Sequence, residues 1–316
     1  MAKISVFSCE HELITRKFVE LTAPYSGHYI YVNPPKSNKE KRSRIADMDT
    51  VIQFFNATPI CASSLKGINP PQRIVVAGPV GKSVDIKAAK YLKIPVFDTP
   101  GLAVDSVAEF TLFQILSLCH QYDQNVLPLR NGEWPCIFRQ DFAECTLGII
   151  GFGRIGRKVA LLAKAFKVKK ILVWSPSLSK FSKLPEKISF AELDLLLSES
   201  DIVCLHLRLN KNTHEILNSS RLSLLKKDAF LINAARAELV DMSYLRSMIS
   251  GNRISKVALD VFQLEPLDKN DILRSSDRVM PTAHTAWRSE KSVSKFIQAA
   301  VDFVFENLSD KVRQVV

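Results

Sequence analysis

Residues 146–160 read Thr-Leu-Gly148-Ile-Ile-Gly151-Phe-Gly153-Arg154-Ile155-Gly156-Arg-Lys-Val-Ala. An apolar run ends in three glycines spaced G-x-G-x-x-G, and an amphipathic helical pattern starts inside the motif. Such a stretch folds as a buried strand that turns directly into a helix. Gly151 permits the tight turn, Gly153 lets backbone N–H groups approach a ligand, and Gly156 lets the helix pack on the strand. The helix N-terminus carries partial positive charge, which suits a pyrophosphate. With Arg154 and Ile155 between them, these glycines form a candidate dinucleotide-binding turn.

The rest of the chain fits an α/β fold with parallel sheets. Short β-branched runs at Ile4–Phe7, Thr50–Phe54, Ile74–Val76 and Pro95–Phe97 alternate with helical patterns around Ile14–Leu21 and Val84–Tyr91. This block ends at Asp98-Thr-Pro-Gly101, where proline and glycine break the chain. A long amphipathic helix over Val104–Cys119 follows, with Ser106-x-x-Glu109 fitting a capping box. Apolar runs at Thr146–Ile150, Lys170–Trp174, Asp201–Leu205, Ala229–Asn233 and Lys256–Asp260 read as strands covered on both faces. The final helix is expected over Ser289–Leu308. At 316 residues the chain is long enough for two domains.

Composition narrows the functional classes. At 47% hydrophobic and 24% charged residues the chain is ordinary globular protein. No run approaches the ~20 apolar residues that cross a bilayer, and the opening Met-Ala-Lys-Ile-Ser-Val-Phe lacks an apolar signal core. A cytoplasmic protein with no membrane partner is expected. Six scattered cysteines without a C-x-x-C pair argue for reduced thiols and no metal site. The net charge of +11 raises nucleic acid as a partner, but the only dense basic run, Lys36–Arg44, carries no interleaved aromatics. A solvated loop leading into a helix is the expectation there, with no nucleic-acid binding.

Reactive side chains cluster beyond the later strands. Phe230-Leu-Ile-Asn-Ala234-Ala235-Arg236 places an arginine after one apolar run. Val257-Ala-Leu-Asp260 through Glu265-Pro266 places two carboxylates after the next, and Pro281-Thr-Ala-His284 places a histidine before the last helix. In a doubly wound sheet ligands gather outside the carboxyl ends of the strands. A histidine titrates near neutral pH and an adjacent carboxylate favours its protonated form, as proton transfer coupled to hydride transfer requires. Taken singly, Arg236 also suits a salt bridge, Glu265-Pro266 a turn, His284 an ordinary loop histidine and Asp260 a strand-end cap. The strand ending at Trp174 is followed by Ser175, where a carboxylate for the ribose hydroxyls would stand. NAD and NADP therefore both stay open as cofactor, with a slight lean to NAD because no arginine fork follows Ser175.

These motifs, in this order, resemble the D-isomer-specific 2-hydroxyacid dehydrogenase family over nearly the whole chain. Asn56-Ala-Thr-Pro-Ile60, Gly78 through Asp85, Thr99-Pro-Gly101, Asn131-Gly-Glu-Trp134 and Ser200 through His206 share in the likeness. The resemblance implies two Rossmann/flavodoxin-like parallel-sheet domains, the substrate domain discontinuous. Residues 1–99 and 286–316 would form it, and residues 100–285 the NAD(P)-binding domain. It implies Arg236 as the substrate-binding arginine, His284 as acid–base, Glu265 as its partner, and Asp260 as acceptor for the nicotinamide amide. Backbone at Ala234, Ala235 and Arg236 would line the cofactor, and Asn56, Gly78, Pro79 and Val80 the substrate. A homodimer is the usual assembly.

The implied activity is hydride transfer between a nicotinamide cofactor and a small 2-oxo or D-2-hydroxy acid such as glyoxylate or hydroxypyruvate. Phosphoglycerate dehydrogenation is an alternative, set back by Phe55-Asn56 and by the absence of length for a regulatory domain. A dinucleotide-sensing binding protein of corepressor type is the other, since corepressors of this fold keep the same reactive residues. Three departures from the family pattern stand out: Arg208 and Ala283 occupy usual proline positions, and Ala237 a usual glycine.

Overall fold

The computed structural model describes residues 2–9 and 11–316, and the chain divides into two compact units. Met1–Ala103 and Arg288–Val316 form one; Val104–Trp287 forms the other. Among the described residues thirteen strands run in chain order: β1 Ile4–Phe7, β2 His28–Tyr31, β3 Thr50–Phe54, β4 Arg73–Ala77, β5 Val96–Asp98, β6 Thr146–Ile150, β7 Lys170–Trp174, β8 Ile188–Phe190, β9 Ile202–Leu205, β10 Phe230–Asn233, β11 Lys256–Leu259, β12 Val279–Pro281 and β13 Arg313–Gln314.

The discontinuous unit holds a sheet in the order β13-β5-β4-β3-β1-β2. All its pairs are parallel except β13 with β5. The central strands β1 and β3 are buried on every residue, as strands covered by helices on both faces must be. The Lys36–Arg44 run is partly built into this unit. Ser37 caps the helix Asn38–Ile45, Arg42 donates to the Ser63 carbonyl, and Arg44 binds Glu40 and the Tyr31 ring. Lys41 is wholly buried; its ammonium donates to the Thr58 and Pro59 carbonyls, and burial lowers its pKa to about 8. Lys41 is therefore internal scaffolding, while Lys36, Ser37, Asn38, Lys39 and Ser43 stay exposed where the loop leads into the helix.

The second unit carries an all-parallel sheet in the order β12-β11-β10-β9-β6-β7-β8. Its register lines up the carboxyl ends. Ile150 sits opposite both Trp174 and Leu205, Asn233 opposite both Leu205 and Leu259, and Leu259 opposite Pro281. Gly151, Ser175, His206, Ala234, Asp260 and Thr282 consequently all leave the sheet along one edge. That edge is where a doubly wound sheet collects a ligand.

Several local expectations shift by a cap. The helix expected from Val84 starts at Ile86, because the Asp85 carboxylate accepts the Ala88 N–H and Val84 bridges Ile60. The final helix spans Glu290–Phe305, capped by Ser289. The helix Val104–Cys119 begins two residues before Ser106, so Ser106 and Glu109 lie within it and form no capping box. The positive φ of Gly101 turns the chain early enough for this start. Among the described residues no helix is long and apolar enough to cross a membrane, and no group of three or more His, Cys, Asp or Glu is placed to hold a metal ion.

Candidate active site

The turn after β6 has the shape its glycines imply. Gly151 has φ of +103°, and its N–H donates to the Trp174 carbonyl at 2.7 Å. A Cβ on Gly151 would come within 2.5 Å of the His206 carbonyl carbon, and one on Gly156 within 2.1 Å of the Gly151 oxygen. Gly153 differs: nothing lies within 4 Å of its missing Cβ. This open face borders the N-terminus of the helix Arg154–Ala165, with Arg154 exposed and Ile155 half-buried. The arrangement fits a dinucleotide pyrophosphate. Burial drives the pKa of His206, behind the turn, down to about 4, so its ring stays neutral.

Ser175 is buried at the end of β7, with its hydroxyl 3.3 Å from that of Ser177. A cavity of about 380 Å³ opens beside it, bounded by Trp174, Lys180, Phe181, Phe190 and Glu192. Among the described residues, Lys180 is the only cation lining that cavity, its ammonium 5.2 Å from the Phe181 ring centre.

Arg236 stands on a turn that β10 builds with its own last residue. Asn233 is fully buried; its Oδ1 accepts the Ala235 N–H at 3.0 Å and its Nδ2 donates to the Arg236 carbonyl at 2.9 Å. This side chain folds the Ala234–Arg236 segment and leaves the guanidinium exposed, with one bond to the Ala235 carbonyl. The sequence reading missed Asn233, although a polar residue closing an apolar strand was the available signal. Ala237 has no positive φ, so its Cβ strains nothing.

The loop carrying His284 is held by Asp260. This carboxylate is fully buried and accepts the Thr282 hydroxyl at 2.7 Å, the Thr285 N–H at 2.8 Å and the Ala286 N–H at 2.9 Å. Thr282 and Thr285 were likewise not singled out from sequence. The anchoring keeps His284 at φ of +51°, a conformation that costs a non-glycine residue energy unless its surroundings enforce it.

His284 Nδ1 lies 2.9 Å from Glu265 Oε2, and Glu265 Oε1 accepts the Phe262 N–H at 3.0 Å. Burial alone would raise the Glu265 carboxyl. The bonds from His284 and Phe262, with the charges of His284 and Arg236, outweigh it and hold the pKa below the usual value. His284 and Arg236 thus both act electrostatically on Glu265, while the glycine turn and Ser175 leave the same sheet edge.

In the discontinuous unit, Asn56 is exposed just beyond β3. Gly78 has φ of +121°, and a Cβ there would overlap the Phe55 ring at 2.1 Å. Backbone groups near Gly78–Val80 are the expected seat of a substrate carboxylate, and the N–H donors of this segment are engaged within the unit. The Gly78 N–H is bound to Thr99 Oγ1 at 2.8 Å, the Val80 N–H to Asp98 Oδ2 at 3.1 Å, and Pro79 has none. Each donor of the segment already has its acceptor. The exposed residues of this turn are Gly81, at φ of +47°, and Lys82. The second glycine of Gly78-Pro-Val-Gly81 was the signal for it.

The comparisons with known proteins agree with this architecture. The family model described as D-isomer specific 2-hydroxyacid dehydrogenase, NAD binding domain, matches residues 112–286, more than half of the chain. A glyoxylate reductase of Thermofilum pendens is 32% identical over 259 residues, covering 80% of this chain and 76% of that protein. A hydroxypyruvate reductase of Thermotoga maritima is 28% identical over 275 residues, covering 85% and 88%. The crystal structure of the TT0316 protein from Thermus thermophilus superposes with a TM-score of 0.83 at 26% identity, over 99% of this chain and 100% of that one. A parallel sheet with a glycine turn, a family model over more than half of the chain and a relative 32% identical over 80% of it lead to one conclusion: this chain belongs to the D-isomer-specific 2-hydroxyacid dehydrogenase family.

Proposed function

We propose that the protein transfers a hydride between a nicotinamide cofactor and a small 2-oxo or D-2-hydroxy acid of the glyoxylate or hydroxypyruvate type. The observation that carries this reading is the 2.9 Å contact of His284 with Glu265 within reach of the Arg236 charge. A bound nicotinamide dinucleotide supplies or accepts the hydride. Gly151, Gly153, Arg154, Ile155 and Gly156 hold its pyrophosphate end, and Ser175 its ribose. Ala234, Ala235 and Asp260 serve the nicotinamide end, with Asp260 Oδ2 retaining a lone pair beside its bond from Ala286.

Arg236 grips the substrate carboxylate and keto oxygen with its planar fork. Glu265 accepts from Nδ1–H of His284, which leaves Nε2 to deliver the proton to the substrate oxygen. The discontinuous unit takes the substrate-binding role, with Asn56 and the Gly78–Gly81 turn as its contacts. Purified protein mixed with NADH or NADPH and a panel of short 2-oxo acids tests the reading. Oxidation of the reduced cofactor supports it, and no turnover of any panel member overturns it. We expect weak discrimination between the two cofactors with a slight lean to NADH, because Ser175 neither repels a 2′-phosphate nor grips one.

Replacing Glu265 by Gln removes the negative charge that favours imidazolium. The alkaline limb of the reduction profile, where the proton donor is lost, is expected to shift to lower pH, with activity retained. The pH dependence of kcat/KM for parent and variant checks this; superimposable profiles contradict the pairing.

We read the assembly as a homodimer. Between residues 113 and 138 the chain leaves Phe113, Leu127, Leu129, Trp134 and Phe138 exposed, the last two by 89% and 90%. Trp134 is the kind of surface aromatic that subunit contacts cover. Six free cysteines suit a reducing, cytoplasmic setting.

A further inference from the structure

The antiparallel pair that closes the sheet of the discontinuous unit brings together two charged residues 215 positions apart. Asp98 is the last residue of β5 and is wholly buried. Arg313 sits directly opposite it on β13 and forks its carboxylate, Nε to Oδ1 at 2.9 Å and Nη2 to Oδ2 at 2.5 Å. The same Oδ2 accepts the Val80 N–H at 3.1 Å. The neighbouring Thr99 completes the attachment: its hydroxyl accepts the Gly78 N–H at 2.8 Å and its own N–H donates to the Gly78 carbonyl at 3.0 Å. The Gly78–Gly81 turn is therefore fastened to the end of β5 by two residues, one of them a buried anion.

This inference rests on the reading above, in which the turn meets an anionic substrate. A bare carboxylate one hydrogen bond behind the turn would repel a second carboxylate, and burial weakens the screening that would hide it. We infer that Arg313 is a positioning residue for substrate binding: its guanidinium neutralises Asp98, so that the Gly78–Gly81 turn accepts an acid. Its side chain is about half exposed, so replacing it removes a charge without opening the core.

The test compares the parent with Arg313→Gln, Arg313→Lys and the double variant Asp98→Asn/Arg313→Gln, using glyoxylate and hydroxypyruvate. Arg313→Gln keeps a hydrogen-bond donor but loses the charge. It is expected to raise KM for the acid about tenfold with kcat within twofold, and to leave the Kd for NADH, read by fluorescence, unchanged. Arg313→Lys, which keeps the charge, should stay within about threefold of the parent. In the double variant no anion remains to be neutralised, and KM should return close to the parent value.

A strand-pairing role alone would lower the melting temperature of Arg313→Gln and leave KM where it was. That result, or a double variant no better than the single one, overturns the inference while normal turnover by the parent leaves the proposed function standing. A parent that reduces neither acid overturns both.

Discussion

His284→Ala is expected to fold, to bind NADH as the parent does, and to lose turnover by about 10²–10⁴-fold, the usual worth of a positioned acid–base group. The imidazole lies on a loop, over a third exposed, and among the described residues its ring bonds only to Glu265. Removing it opens no core. The loop itself stays fixed, because Asp260 holds it through Thr282, Thr285 and Ala286 and not through the ring. Arg236→Ala should lose turnover on a similar scale, with a raised KM, since among the described residues its guanidinium bonds only to the adjacent carbonyl of Ala235. Steady-state kinetics on an acid the parent uses well, beside NADH titration by fluorescence, separate the two effects. Near-parent turnover in either variant contradicts the assigned roles.

The second large effect separates two glycines that look alike in sequence. Gly156→Ala drives a Cβ to within 2.1 Å of the Gly151 carbonyl oxygen, a backbone atom that cannot swing aside. Helix Arg154–Ala165 must move off β6, and the expected cost is about 1–3 kcal/mol together with a weakened grip on the dinucleotide. Gly153→Ala meets nothing within 4 Å and has ordinary negative φ. Its melting temperature should match the parent's. Its methyl would nevertheless stand where backbone N–H groups face the pyrophosphate, so NADH affinity should fall at least about tenfold. Thermal melts and NADH titrations of both variants check the contrast. Equal melting temperatures for the two, or unaltered NADH binding by Gly153→Ala, would contradict the division of labour.

What the sequence made legible was mostly what is local. The strand, glycine turn and helix around Gly151 depend on residues within one short stretch, and each glycine has its own steric reason. Arg236, Glu265 and His284 could be named because each follows an apolar run closely. Edge strands escaped notice. β8, β12 and β13 are two or three residues long, and their neighbours in the sheet, not their own composition, make them strands.

Side chains that work at long range were hidden for the same reason. Asp98 looked like part of a chain break, yet it pairs with Arg313 and fastens Val80. Asp260, expected at the cofactor, also holds the His284 loop, through bonds to residues 22 to 26 positions away. The Ser106 capping box failed because the turn at Gly101 lets the helix begin earlier, at Val104.

In the proposed reaction Arg236 and His284 would present one face of a 2-oxo acid to the hydride, so the chemistry would be handed. Hydroxypyruvate reduced by the parent with NADH, followed by chiral chromatography of the glycerate, tests it most directly. D-glycerate alone is expected. L-glycerate, a racemate or no product would contradict it.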